Sequence, residues 1–111
     1  MAKGIIYIME TVVQGIIKIG KTRTDQFENR MKNLENNGYS NVSGLKRKFA
    51  IEVDEYDDKE RLIHDIFSKS RVGTSELFAT DMETAVSLLS SLEGKQVYPT
   101  TKTKKEIFEA A

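Results

Sequence analysis

A tyrosine and a lysine set within two neighbouring apolar runs are the first residues of this chain whose types could do chemistry. Gly4-Ile5-Ile6-Tyr7-Ile8-Met9 and Ile16-Ile17-Lys18-Ile19-Gly20-Lys21-Thr22 are rich in β-branched and aromatic residues and flank Thr11-Val12-Val13-Gln14 and Gly15. This is the pattern of a β-hairpin. With Thr11 to Gln14 as the loop, Glu10 faces Gly15 and Tyr7 stands directly opposite Lys18. Strand alternation then places Ile5, Tyr7 and Met9 with Ile16 and Lys18 on one face, and Ile6 and Ile8 with Ile17 and Ile19 on a wholly apolar other face. A phenol beside an ammonium suits anion binding or chemistry. The same two residues on a half-exposed, wet face would need no chemical role.

Further along, Lys21 and Arg23 follow Gly20, so the end of the hairpin delivers them to the edge that carries Tyr7 and Lys18, as phosphate contacts. Glu60 and His64 lie one helical turn apart, a spacing at which both could reach one ion or one phosphate; the alternative for a lone histidine is a satisfied core or rim residue. Glu60 is also three residues after Asp57, where a capping-box carboxylate would sit, and capping competes with metal binding for the same group. Arg71 and Glu76 read first as a loop ion pair and second as residues that shape the site. Lys46-Arg47-Lys48 reads as a solvated strand start, with backbone contact to DNA as the minority reading.

The elements that position these residues follow from spacing. Asp25 with Glu28 makes a capping box for a helix carrying Phe27, Met31 and Leu34, which stops before Asn36-Asn37-Gly38 and holds Arg30 on the flank of its apolar stripe. Lys46 to Val53 alternates as a third strand, with Phe49, Ile51 and Val53 on one face. Asp57 with Glu60 opens a second helix whose buried stripe is Leu62, Ile63, Ile66 and Phe67. Glu76 to Phe78 is a short extended segment, and Thr80 with Glu83 opens a last helix built on Met82, Ala85, Val86, Leu88, Leu89 and Leu92. Residues 1–93 form one domain and 94–111 a tail. The expected class is α+β: a small three-stranded, mainly antiparallel sheet, the hairpin plus a third strand, with three helices packed on one face.

Composition bounds the function. The chain has 111 residues, enough for one domain, and no cysteine, which excludes a disulfide framework, a thiolate metal site and a cysteine nucleophile. The apolar start is broken at Glu10 and lacks a small-residue cleavage site, so a soluble, cytoplasmic protein without a membrane partner is expected. The formal net charge is zero, but residues 1–48 carry nine Lys or Arg against four acids, +5, and residues 49–111 eight against thirteen, −5. The basic half suits phosphate contacts and the acidic half a divalent cation. Net neutrality argues against coating nucleic acid by charge alone.

Taken in order, these residues resemble a GIY-YIG nuclease domain, and within it the phage-associated branch described as a bacteriophage open-reading-frame DNA-binding domain. The likeness covers about residues 4 to 92. Ile5-Ile6-Tyr7 stands where that family has Gly-Ile-Tyr, and Lys18-Ile19-Gly20 where it has Tyr-Ile-Gly. Lys21-Thr22, Arg30, Glu60-Arg61-Leu62-Ile63-His64, Arg71 and Glu76-Leu77-Phe78 continue the pattern of the phage branch. The resemblance implies metal-dependent hydrolysis of DNA phosphodiesters. Tyr7 would help activate the attacking water, Arg30 would stabilise the phosphorane-like charge, and Glu60 would hold one divalent metal, Mg²⁺ or Mn²⁺. Lys18 and His64 join the catalytic group, and Lys18, Lys21, Arg23 and Arg71 contact DNA. Two departures are evident: Ile5 replaces a glycine and Lys18 a tyrosine. Lys18 either favours the Tyr7 phenolate or contacts a phosphate. A stretch from Arg23 to Asn29 also lengthens the path from Gly20 to Arg30. The alternatives are a non-catalytic DNA-binding module of the same fold and a small interaction domain. If the chain cuts DNA, its specificity is expected to be low, or supplied by a partner protein or by dimerisation.

Overall fold

The structure is a computed structural model and describes residues 3–39 and 42–99. Five strands form one sheet: β1 (Lys3–Glu10), β2 (Ile17–Thr22), β3 (Lys46–Asp54), β4 (Leu77–Phe78) and β5 (Lys95–Tyr98). Their order is β4-β2-β1-β3-β5 and every neighbouring pair is antiparallel. The helices are α1 (Phe27–Asn37), α2 (Tyr56–Ile66) and α3 (Met82–Ser90). The α+β class is as expected, but the sheet has five strands rather than three. Glu76 to Phe78 supplies β4 on one edge, and Lys95–Tyr98, read from sequence as the start of a tail, pairs with β3 as β5 on the other. Most of the expected tail, residues 100–111, lies outside the described residues.

Helices cover both faces of the sheet instead of one. Ile6, Ile8, Ile17, Ile19, Phe49, Ile51 and Val53 face α2 and α3, packing on Ile63, Phe67, Ala85 and Leu89. On the opposite face Ile5, Tyr7 and Met9 pack with Phe27, Met31 and Leu34 of α1 and with Leu45. Central β1 is therefore buried on both sides from Gly4 to Met9, which explains why its sequence is an almost unbroken apolar run.

The hairpin register differs from the expected one by two residues. Tyr7 pairs with Gly20, Met9 with Lys18 and Glu10 with Ile17. The turn closes at Val13 to Ile16, where the Ile16 N–H donates to the Val13 carbonyl at 3.1 Å and Gly15 takes φ +88°. A residue with φ > 0 belongs at the third position of such a turn, so Gly15 is drawn into the loop. The Thr11 hydroxyl secures it by donating to the Ile16 carbonyl. A shift of two keeps every side chain on its face.

Helix starts also differ. A 3-10 turn at Thr24–Gln26 precedes α1, which begins without a side-chain cap; Asp25 binds Arg23 and Glu28 binds Arg47 instead. α2 begins at Tyr56 after Glu55 in the left-handed region, with no cap from Asp57. The Tyr56 ring lies against Gly4, filling the space a Cβ would need. At α3 the cap is Asp81, whose carboxylate accepts from the Thr84 N–H, one residue later than Thr80. Of the α2 stripe, Ile63 and Phe67 are buried, whereas Leu62 and Ile66 are about half exposed.

Candidate functional site

Beyond Ile19, whose N–H still donates to the Glu76 carbonyl, β2 outruns the two-residue β4, so Gly20 to Thr22 form a rim of the sheet unpaired on that side, with Gly20 buried and Lys21 exposed. Two polar clusters flank this rim, one on each face.

On the α1 face, the Lys18 ammonium donates to the Tyr7 hydroxyl at 2.9 Å and to Glu76 Oε1 at 2.6 Å. Register explains the reach: Lys18 sits diagonally from Tyr7, within range of a long side chain. The ammonium also lies 4.7 Å from the ring centroids of both Tyr7 and Tyr39. The Tyr39 hydroxyl accepts from the Glu76 N–H at 3.1 Å. Tyr7 and Lys18 are each 0 % exposed, which replaces the expected wet face with a buried one. A buried ammonium needs a counter-charge, and Glu76 supplies it. The expected Arg71–Glu76 ion pair is therefore not formed. Arg71 instead donates to the Ser75 and Thr74 carbonyls, stapling the loop that presents Glu76. Gly20 is required here by close approach: a Cβ would stand 2.6 Å from the Tyr7 hydroxyl oxygen and 2.7 Å from Lys18 Nζ.

On the α2 face, Glu60, His64, Lys21 and Asp57 meet. Glu60 is 8 % exposed, and its Oε2 has no hydrogen-bond partner among the described residues. His64 Nε2 lies 3.8 Å from that oxygen and 3.1 Å from the Ile19 carbonyl. A carbonyl only accepts, so this nitrogen carries a proton. Lys21 Nζ donates to Asp57 Oδ1 and stands 3.7 Å from Glu60 Oε1. The hydrogen bond to Asp57, first of all, raises the Lys21 pKa. Burial pushes the Glu60 carboxyl above the ordinary carboxylate range; Glu76 adds to the shift, while His64, Lys21 and Lys18 oppose it.

Glu60 and His64 thus come together as their spacing implied, and Lys21 joins them, while Tyr7 and Lys18 meet on the other face. Arg30 is half-buried on α1 and makes no hydrogen bond or ion pair among the described residues. Arg23 is exposed and paired with Asp25. Asp57 and Tyr39 were not singled out from sequence as parts of a site. Asp57 was hidden by its resemblance to a helix cap, and Tyr39, just past a helix-ending glycine, carries no local signal. Two hollows of about 310 and 450 Å³ lie elsewhere, and neither is lined by these residues. The candidate site lies along the β2 edge of the sheet, its key side chains Tyr7, Lys18 and Glu60 buried and Lys21 exposed. No helix among the described residues is long and apolar enough to cross a membrane.

No curated protein and no solved structure gives a significant match to the chain. The T5orf172 domain matches residues 4–93, a span that holds both clusters, and the chain belongs to the T5orf172 domain family.

Proposed function

We propose that this chain is a metal-dependent DNA endonuclease of GIY-YIG type, with Glu60 as its metal ligand. Membership of the T5orf172 family points to phage-related DNA-binding or nuclease-like work. The observation that carries the hydrolytic reading is Glu60 itself: a carboxylate buried at the β2 edge of the sheet with one oxygen unsatisfied. Leaving a buried acceptor unpaired costs about 1–3 kcal/mol, a cost that folding alone does not require. A cation offsets it. Among the described residues no three His, Cys, Asp or Glu side chains converge as a metal-binding group. A Mg²⁺-like ion that keeps most of its waters and takes phosphate oxygens fits such a sparse protein shell. Bound there, it would supply Lewis acidity and a more acidic water. His64, with its Nε2 proton held at the Ile19 carbonyl, stands beside Glu60, whereas Arg30 lies on α1, which packs on the opposite face of the sheet, and makes no ion pair among the described residues.

The test is nicking of supercoiled plasmid with Mg²⁺ or Mn²⁺. Glu60→Gln is expected to lower the rate at least about 100-fold, the lower bound for loss of an essential polar group. A Glu60→Gln protein that cuts as fast as wild type contradicts the proposal. One observation favours a second reading, a DNA-binding module without catalysis: the Tyr7 side chain is fully buried and its hydroxyl is engaged by Lys18, away from any attacking water. On that reading the wild type binds DNA with a negative salt slope and does not nick.

A further inference from the structure

We infer that Asp57 and Glu60 form a two-carboxylate cation site that the free protein fills with the ammonium of its own Lys21, and that a divalent ion enters when a DNA phosphate draws Lys21 away. The inference rests on the nuclease reading above. It adds Asp57 as a ligand and Lys21 as the element that couples metal binding to DNA binding.

The geometry is that of a site with a tethered occupant. Lys21 Nζ is hydrogen-bonded to Asp57 Oδ1 and lies 3.7 Å from Glu60 Oε1, so both carboxylates already converge on one positive charge. Glu60 Oε2, 3.8 Å from His64 Nε2, is buried and has no hydrogen-bond partner among the described residues, so one carboxylate oxygen remains that the ammonium does not engage. The occupant can leave. The Lys21 side chain is 38 % exposed, sits on the unpaired rim beyond β4, and ends in a flexible four-carbon stem whose head group needs no fixed plane. An ammonium and a divalent ion cannot share the same oxygens without strong repulsion. A phosphate arriving at the rim offers Lys21 a replacement anion. Removing Lys21 from the carboxylates then raises their affinity for the metal, and by linkage the metal raises affinity for DNA by the same factor.

The test measures Mn²⁺ binding by electron paramagnetic resonance, with and without a short duplex carrying a non-cleavable phosphorothioate linkage, for wild type, Lys21→Met, Asp57→Asn and Glu60→Gln. Lys21→Met is expected to bind Mn²⁺ in the absence of DNA at least tenfold more tightly than wild type. Wild type is expected to gain a similar factor on adding the duplex, and Lys21→Met much less. Asp57→Asn and Glu60→Gln, each placed in the Lys21→Met background, are expected to remove the gain. Lys21→Met binding Mn²⁺ no more tightly than wild type, while Glu60→Gln still abolishes binding, overturns this inference and leaves the nuclease reading intact. Mn²⁺ binding that is absent with and without the duplex, or indifferent to Glu60→Gln, overturns both.

Discussion

Glu60 is held in a state that costs stability, which is what the proposed metal-binding role requires. Its carboxyl is pushed above the ordinary value of 4.5, chiefly by burial, so the native state keeps this proton at pH values where the unfolded chain has released it. Stability therefore falls as pH rises from the ordinary carboxyl value through the raised native one, and the loss is complete above it. Glu60→Gln removes that ionisation. It is expected to be more stable than wild type at about pH 8, by on the order of 1 kcal/mol, with the advantage shrinking toward about pH 4. Urea midpoints at the two pH values check this, and a pH-independent difference contradicts it. A substitution that abolishes nicking while stabilising the fold is the behaviour expected of a functional residue. The Glu60–His64 turn was legible in the sequence because helical spacing is local. The freedom of the Glu60 carboxylate was not, since Asp57 three residues earlier mimicked a capping box, and only the structure shows Asp57 turned to Lys21.

At the scale of elements, the Lys18–Glu76 pair joins β2 to the short edge strand β4, which has only two paired positions of its own. Lys18 is fully buried and Glu76 about one-third exposed. Deleting the carboxylate strands an ammonium among tyrosine rings, whereas deleting both charges leaves a largely apolar contact. Glu76→Gln is thus expected to cost about 2 kcal/mol, a figure reduced from that of a fully buried pair for its solvent exposure. Lys18→Met in the same background is expected to restore at least half. Denaturant titration of the four-protein cycle measures it, and additive losses would contradict a coupled pair. The sequence placed Tyr7 and Lys18 on one face correctly, because the error in register was an even number. It did not reveal that the face is dry: burial there comes from α1 crossing it. Nor did it pair Glu76 with Lys18, since the two are far apart in the chain and meet only through β4.

The whole molecule offsets part of the charge asymmetry seen in the sequence, through Lys18–Glu76 and Lys21–Asp57, the pairs that join the basic first half to the acidic second. Of the nine cations in residues 1–48, Lys18, Lys21, Arg23, Arg47 and Lys48 all form ion pairs. Arg47, read as part of a solvated run, instead ties β3 to Glu28 and Glu35 of α1; its guanidinium holds the Glu35 carboxyl below the ordinary range. The reversal follows from the irregularity in register between Ile8 and Met9, which pairs Arg47 with Met9 on the α1 face. On the proposed reading Lys21 exchanges its internal pair for a DNA phosphate, which is the coupling assigned to it, whereas Arg30 has no ion pair among the described residues to give up. The α+β class was legible from the alternating and helical runs, whereas β5 was not, because four residues before a Thr/Lys-rich stretch carry too short a pattern. The central claim is that Glu60, at the rim beyond β4, holds the ion that meets the scissile phosphate. A crystal structure of the protein with Mn²⁺ and a short duplex tests it most directly. The account expects an anomalous peak within coordination distance of a Glu60 oxygen and of one DNA phosphate; a Mn²⁺ ion bound to the DNA-loaded protein away from Glu60 would contradict it.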